Sequence, residues 1–234
     1  MIASFHLTRV GRLAGLRMLR GATSPDLAPG LRYAALTAAS PLSATRLPRP
    51  DPGRVGLIAA WDDDDAIDRF LADHPLAHTL RGGWHTRLAP THIFGVFPPL
   101  DGLVDDAPPA MGAEEPAAVL TIGRLRFSQA PRFLRASAAA ERLAVRDSSM
   151  LRGTGLARPP GLVATFSLWR TTREMRAYAG GSAGPEHRAA VKAHAKRPFH
   201  HTSAFIRFRP YGAEGEWDGE NPLAETLPAP APLA

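Results

Sequence analysis

Apolar and polar positions along this chain follow two rhythms, and the rhythms succeed one another in the same order twice. The first half reads "IASFHL" as a strand, "GRLAGLRMLRG" as a helix and "RYAALTAAS" as an extended piece. It continues with "GLIAAW" as a strand, "DDAIDRFLADH" as a helix and "THIFGVF" as a closing strand. The second half opens with "AVLTIGRLRF" as a strand, "APRFLRASAAAERLA" as a helix and "GLVATFSLW" as a strand. Helices "TTREMRAYA" and "EHRAAVKAHAK" follow, then the closing strand "TSAFIRFRPY". The closing strands alternate, or nearly alternate, apolar and polar residues, as half-buried strands do.

An offset test makes the repeat concrete. Trp169 minus Trp61 is 108, and that offset maps Ile58 on Phe166, Ala60 on Leu168, Ile67 on Met175 and Phe70 on Tyr178. The apolar positions after each Trp then share one helical face. Each helix also starts on a cap: Thr171-x-x-Glu174 is a capping-box pattern, and Asp62 or Asp63 serves the first copy. A strand–helix–strand–strand–helix–strand order is a ferredoxin-like unit, an antiparallel sheet with helices on one face. The free face of each sheet must be covered. The fold class expected is therefore α+β, two ferredoxin-like units in one chain facing each other as an α+β barrel with an internal cavity for a flat apolar ligand.

The breaks in the pattern set the expected boundaries. Residues 1–100 form the first unit and 118–215 the second, which carries the cofactor site. The Pro/Gly/acid-rich stretch around 101–117 reads as a linker, 41–54 as an internal loop, and 216–234 as a C-terminal tail ending in low-complexity "PLAETLPAPAPLA".

Composition narrows the chemistry. An apolar fraction of 44% supports a real core. The chain lacks cysteine, which removes disulfides, thiolate nucleophiles and thiolate-held iron. Any metal or haem iron must be held by His, Tyr, Met or carboxylates. The net charge of +6 is spread along the chain and interrupted by acids, with Lys192 and Lys196 the only lysines. A nucleic-acid partner is not expected from such scattered charge. With no apolar run of membrane-spanning length and no secretory h-region, stable membrane insertion is not expected, and a cytoplasmic location is.

Several motifs resolve into scaffold. "DDDD" (Asp62 to Asp65) suits a helix N-terminus, where the macrodipole favours acids. His74 and His78 have the i, i+4 spacing of a metal pair, but no third ligand stands nearby. No G-x-G-x-x-G, H-E-x-x-H or G-x-S-x-G occurs.

The stretches "VLTIGRLRF…FLRAS", "GLARPPGLVATFSLWRTTREMRAYAG" and "FHHTSAFIRFRPYG", with a helix containing His187 between the last two, resemble the spheroidene monooxygenase family of carotenoid-modifying enzymes. The resemblance covers roughly Val119 to Gly212; the first half matches in pattern alone. It implies a haem-dependent oxygenase (haem b) acting on a long apolar polyene, with an electron donor and a homo-oligomer compatible with it. It also places a His near position 187 after the "RAYAG" helix, so His187 is the expected axial iron ligand. His194 lies two turns on. His200 and His201, ahead of the last strand, are candidates for a cavity-facing group, one of them serving as a distal acid/base or as the iron ligand itself, and Ser203 joins them. Strand alternation puts Ser203, Phe205, Arg207 and Arg209 on one face, where Arg207 is a candidate clamp for haem propionates and Arg209 tends to solvent. Phe205 and Trp169 are candidate cofactor contacts, although a core role is the commoner fate of Trp169, Phe166 and Met175. A non-oxidative haem enzyme of the aldoxime dehydratase type, a haem or apolar-ligand carrier without turnover, and a cofactor-free monooxygenase all remain open on sequence grounds.

Overall fold

The computed structural model describes residues 1–21, 27–42, 51–104, 108, 110–146, 149–180 and 198–227; for 139–146 and 180 only the backbone is considered. In the first unit β1 (Ile2–Arg9), α1 (Arg12–Arg20), β2 (Leu31–Pro41) and β3 (Asp51–Trp61) are followed by α2 (Asp64–Asp73), α3 (Pro75–Leu80) and β4 (Trp84–Val96). The second unit comprises β5 (Ala117–Leu125), α4 (Ala130–Arg146), β6 (Met150–Arg158), β7 (Leu162–Trp169), α5 (Thr172–Gly180) and β8 (His200–Glu214). The strands close into one barrel in the order β1-β3-β2-β6-β7-β5-β8-β4, every pairing antiparallel. Each half contributes the same internal order, and the halves join where β2 meets β6 and β4 meets β8. The expected duplicated α+β barrel is what the chain forms, and closure removes every unpaired sheet edge. The helix read at 186–196 lies outside the described residues.

The repeat holds down to hydrogen bonds. Asp63 caps α2, its Oδ1 accepting from the Ala66 N–H at 2.9 Å. At the position 108 residues on, Thr171 Oγ1 accepts from the Glu174 N–H at 3.1 Å and donates to Glu174 Oε2 at 2.8 Å. Trp61 packs on Phe70 with ring centroids 5.0 Å apart, and Trp169 on Tyr178 at 4.8 Å. Both indole N–H groups donate to a buried serine: Trp61 to Ser4 at 2.9 Å, Trp169 to Ser167 at 3.0 Å. Trp169 thus sits under α5 as Trp61 sits under α2, and both are satisfied core residues.

The barrel lumen departs from the expected ligand cavity: it is packed. Phe5 of β1 stacks on Phe166 of β7 at 4.0 Å between ring centroids. Leu7, Ile58, Leu120, Ile122, Leu168, Ile206 and Phe208 fill the space around them. Two connecting segments close the ends. Phe97, Leu100 and Leu103 follow β4 at one end, and Trp217 and Leu223 pack near Trp84, where β4 starts, at the other. The stretch from 216, read as a tail, is therefore part of the core as far as residue 227. The Trp84 indole donates to Asn221 at 3.1 Å, and buried Arg54 reaches Asp218 at 2.8 Å, which ties the segment down. A flat cofactor has no room between the sheets, so any site must lie on an outer face.

Candidate functional site

The outer face of each sheet is where the halves diverge. Aligning the rungs through β3 and β7 sets Ser4, His6 and Thr8 of β1 against Val119, Thr121 and Gly123 of β5. The same alignment sets Arg87 and His85 of β4 against Arg207 and Phe205 of β8. In the first half this face is shut. Leu31, Leu36, Val55, Leu57 and Trp61 pack against Ile67, Phe70, Ala77 and Leu80 of α2 and α3. His6 is buried there, its Nε2 3.0 Å from Ser4 Oγ, its ring stacked on His85 at 5.2 Å. Burial, with His85 and Arg87 beside it, pushes the His6 pKa well below the ordinary histidine value.

Among the described residues, the equivalent face of the second half is left open at Thr121. The described cluster there holds Met111, Ala117, Val119, Trp169 and Met175, at one end of the sheet. Thr121 lies mid-way along β5, a central strand flanked by β7 and β8, and it is exposed; Thr165 and Phe205 beside it are half-buried. A central sheet position normally lies under a helix, so an exposed one marks a cleft.

Most of the sequence-derived candidates border this cleft. Ser203, Phe205 and Arg207 share its face and are half-buried. His200 joins them for a reason alternation alone conceals. A bulge places Leu125 opposite His200 and Arg124 opposite Thr202, which skips His201 and flips His200 to the outer side. Its ring meets Phe133 of α4 at 5.1 Å and lies over Gly123, where a Cβ would come within 2.8 Å of it. Neither histidine faces the lumen; His201 is exposed. Arg209 donates to Glu115 at 2.9 Å and to the Ala110 carbonyl at 2.8 Å, so it is engaged in scaffold. Arg207 differs: its Nε is buried with no hydrogen-bond partner. His187 and His194 lie outside the described residues.

Past the cleft, β4 adds an apolar ledge. His92, Phe94 and Val96 pair with Arg207, Phe205 and Ser203, and Phe94 and Val96 are 68% and 61% exposed. The motifs read as scaffold stay scaffold. His74 Nδ1 accepts from the Leu76 N–H at 3.1 Å and caps α3. His78 Nε2 lies 3.0 Å from the Ala72 carbonyl. Among the described residues, no group of three or more His, Cys, Asp or Glu is placed to hold a metal ion, and no helix is long and apolar enough to cross a membrane.

Sequence reasoning missed Thr121, Gly123, Arg176 and the Phe94–Val96 ledge. Arg176 was within its reach, since the offset of 108 already set it against Asp68.

Comparison with known proteins places this architecture. A spheroidene monooxygenase of Rubrivivax gelatinosus is 32% identical over 214 residues, which is 89% of this chain and 80% of that protein. The chain belongs to the spheroidene monooxygenase family. A match of that length runs through both halves, well beyond the Val119–Gly212 stretch that carries the motifs. The spheroidene monooxygenase of Cereibacter sphaeroides is 28% identical over 202 residues, covering 80% of this chain; the chain spans 61% of that relative's length. No protein-family model matches the chain. Among solved structures, an aldoxime dehydratase aligns with a TM-score of 0.52 at 10% identity, over 94% of this chain and 82% of its own. A second aldoxime dehydratase, in complex with butyraldoxime, aligns with a TM-score of 0.51 at 11% identity, over 89% and 79%. These two likenesses establish the shared fold of this family member.

Proposed function

We propose that the protein is a haem-dependent monooxygenase of an apolar, carotenoid-like substrate, working on the outer face of the second sheet. The observation that carries this reading is the exposed Thr121 at the centre of a sheet whose opposite face is packed solid. Membership of the spheroidene monooxygenase family supports the reaction class.

The residues present suit a haem. The sheet side of the cleft offers Thr121 and Ser203, small enough for a flat ring to approach, with Phe205 to pack against it. Arg207, with a buried unpartnered Nε, suits a propionate carboxylate. His187, outside the described residues, is the proposed iron ligand. His200 and Ser203 are the proposed polar groups beside the reacting oxygen, with His201 at the rim. Bound haem would supply the oxygen chemistry, and an electron donor would supply the reducing equivalents. This chain's own residues hold the ring, exclude water through Phe205 and Phe133, and offer hydrogen-bond donors. The Phe94–Val96 ledge gives an apolar substrate a surface to lie on.

The test is spectroscopic. Protein expressed with haem precursor, or titrated with hemin, is expected to show a Soret band. The band is expected to be lost in His187→Ala and kept in His194→Ala, His200→Ala and His201→Ala. A band that never forms contradicts the haem reading, and one that survives His187→Ala contradicts the ligand assignment. Oxygenated product formed from a carotenoid under reduction separates the oxygenase from a haem dehydratase or a carrier.

A further inference from the structure

Arg207 stands where the first half has Arg87, and what meets these two arginines is opposite in sign. Arg87 is held to α2 by Asp64 at 2.7 Å and by Asp68. Tyr211 completes that knot, donating to Asp64 at 2.8 Å. The offset of 108, fixed by the matching caps at Asp63 and Thr171, puts Thr172 and Arg176 at the corresponding places on α5. Thr172 is buried, and its hydroxyl is engaged in donating to the Glu115 carbonyl at 3.0 Å. Arg176 is exposed, and among the described residues neither Arg176 nor Arg207 is in an ion pair. Burial and the nearby Arg176 charge push the Arg207 guanidinium below its ordinary pKa, as happens when a cation lacks its anion.

We infer that Arg176 and Arg207 form an oxyanion-binding site at the edge of the open cleft, created by reversing the charge of one helix position relative to the first half. Its ligand is a carboxylate or phosphate group, which two guanidinium forks bind through paired N–H···O bonds. The site borders Phe205 and Thr121 on the sheet and His92 on β4. An anion tethered to an apolar body lying in the cleft would fill both parts. The inference stands on the arginine pair and survives if the haem reading fails.

The experiment compares wild type with Arg207→Gln, Arg176→Asp and the control Arg173→Gln, whose own partner is the surface residue Glu114. Melting temperature is read in chloride and in inorganic phosphate at matched ionic strength, because screening alone moves surface electrostatics. Phosphate is expected to raise the melting temperature of wild type and Arg173→Gln, as ligands of the native state do. The rise is expected to vanish in Arg207→Gln and Arg176→Asp. Arg176→Asp, which rebuilds the first-half pattern, is expected to melt above wild type in chloride. A second arm titrates hemin against hemin dimethyl ester, in which the carboxylates are blocked. A wild-type preference for hemin of about tenfold, lost in Arg176→Asp, identifies the anion as a cofactor carboxylate. A phosphate shift without any hemin binding identifies a free oxyanion and removes the haem reading alone. The inference is overturned if the phosphate shift persists in both cleft variants, or if wild type shows neither a phosphate shift nor a hemin preference.

Discussion

The two halves of this barrel carry the same strands, the same kind of helix cap and a tryptophan under the same helix, yet one outer face is sealed and the other, among the described residues, is open at Thr121. In the first, α2 is bolted to the sheet by the Arg87–Asp64–Asp68 knot and by the apolar cluster around Trp61 and Phe70. In the second, the described cluster around Trp169 reaches Phe205 but leaves Thr121 exposed, and the matching arginine meets another arginine's charge. Duplication lets one copy hold the fold while the other is released from that duty. A site that leaves a charge unpaired costs stability, and the sealed copy and the shared lumen offset that cost.

The largest effect that sharpens this contrast is on the paired tryptophans. Trp61→Ala is expected to destabilise by about 4 kcal/mol and Trp169→Ala by about 3 kcal/mol in denaturant unfolding, as large-to-small core changes do. Equal losses would argue that the second face is as well packed as the first. Next come the paired arginines. Arg87→Ala releases two solvent-exposed aspartates and unties α2 from the sheet, and is expected to cost about 1 kcal/mol. Arg207→Ala is expected to lie within about 0.5 kcal/mol of wild type, because it breaks no pair. A large loss from Arg207→Ala would place it in the scaffold.

The pH dependence separates the halves again. Burial depresses the pKa values of His6 and His85, so the folded protein binds fewer protons there than the unfolded chain. Stability is therefore full above the ordinary histidine pKa, about 6.5, and falls as pH drops through that value. His85→Phe copies the second half, which has Phe205 there, and is expected to make the fall in melting temperature shallower. The smallest effect should be the most symmetric. Asp63→Ala and Thr171→Ala each remove one helix cap and are expected to cost about 1 kcal/mol apiece.

Much of this architecture was legible in the sequence because it rests on local rules. The apolar and polar pattern gave every strand but β6, which Gly153 and Gly155 interrupt; Asp62 or Asp63 and Thr171 gave the helix starts, and the 108 offset gave the duplication. The packed lumen was not legible. The segments that stop its ends, around Phe97–Leu103 and Trp217–Leu223, read as the end of a strand running into a linker and as a C-terminal tail, and their few apolar anchors have no periodicity. The facing of His200 was hidden by a bulge, since skipping one residue turns a side chain to the other face of a sheet. Arg176 was aligned with Asp68 by the offset, but its consequence needed the strand register that brings Arg87 and Arg207 to equivalent places.

A hemin titration of Thr121→Trp tests most directly that the second outer face is the binding face. The indole fills the cleft at an exposed position, so the variant is expected to melt near wild type while its Soret band is abolished. A Thr121→Trp protein that folds and binds hemin as wild type does would contradict it.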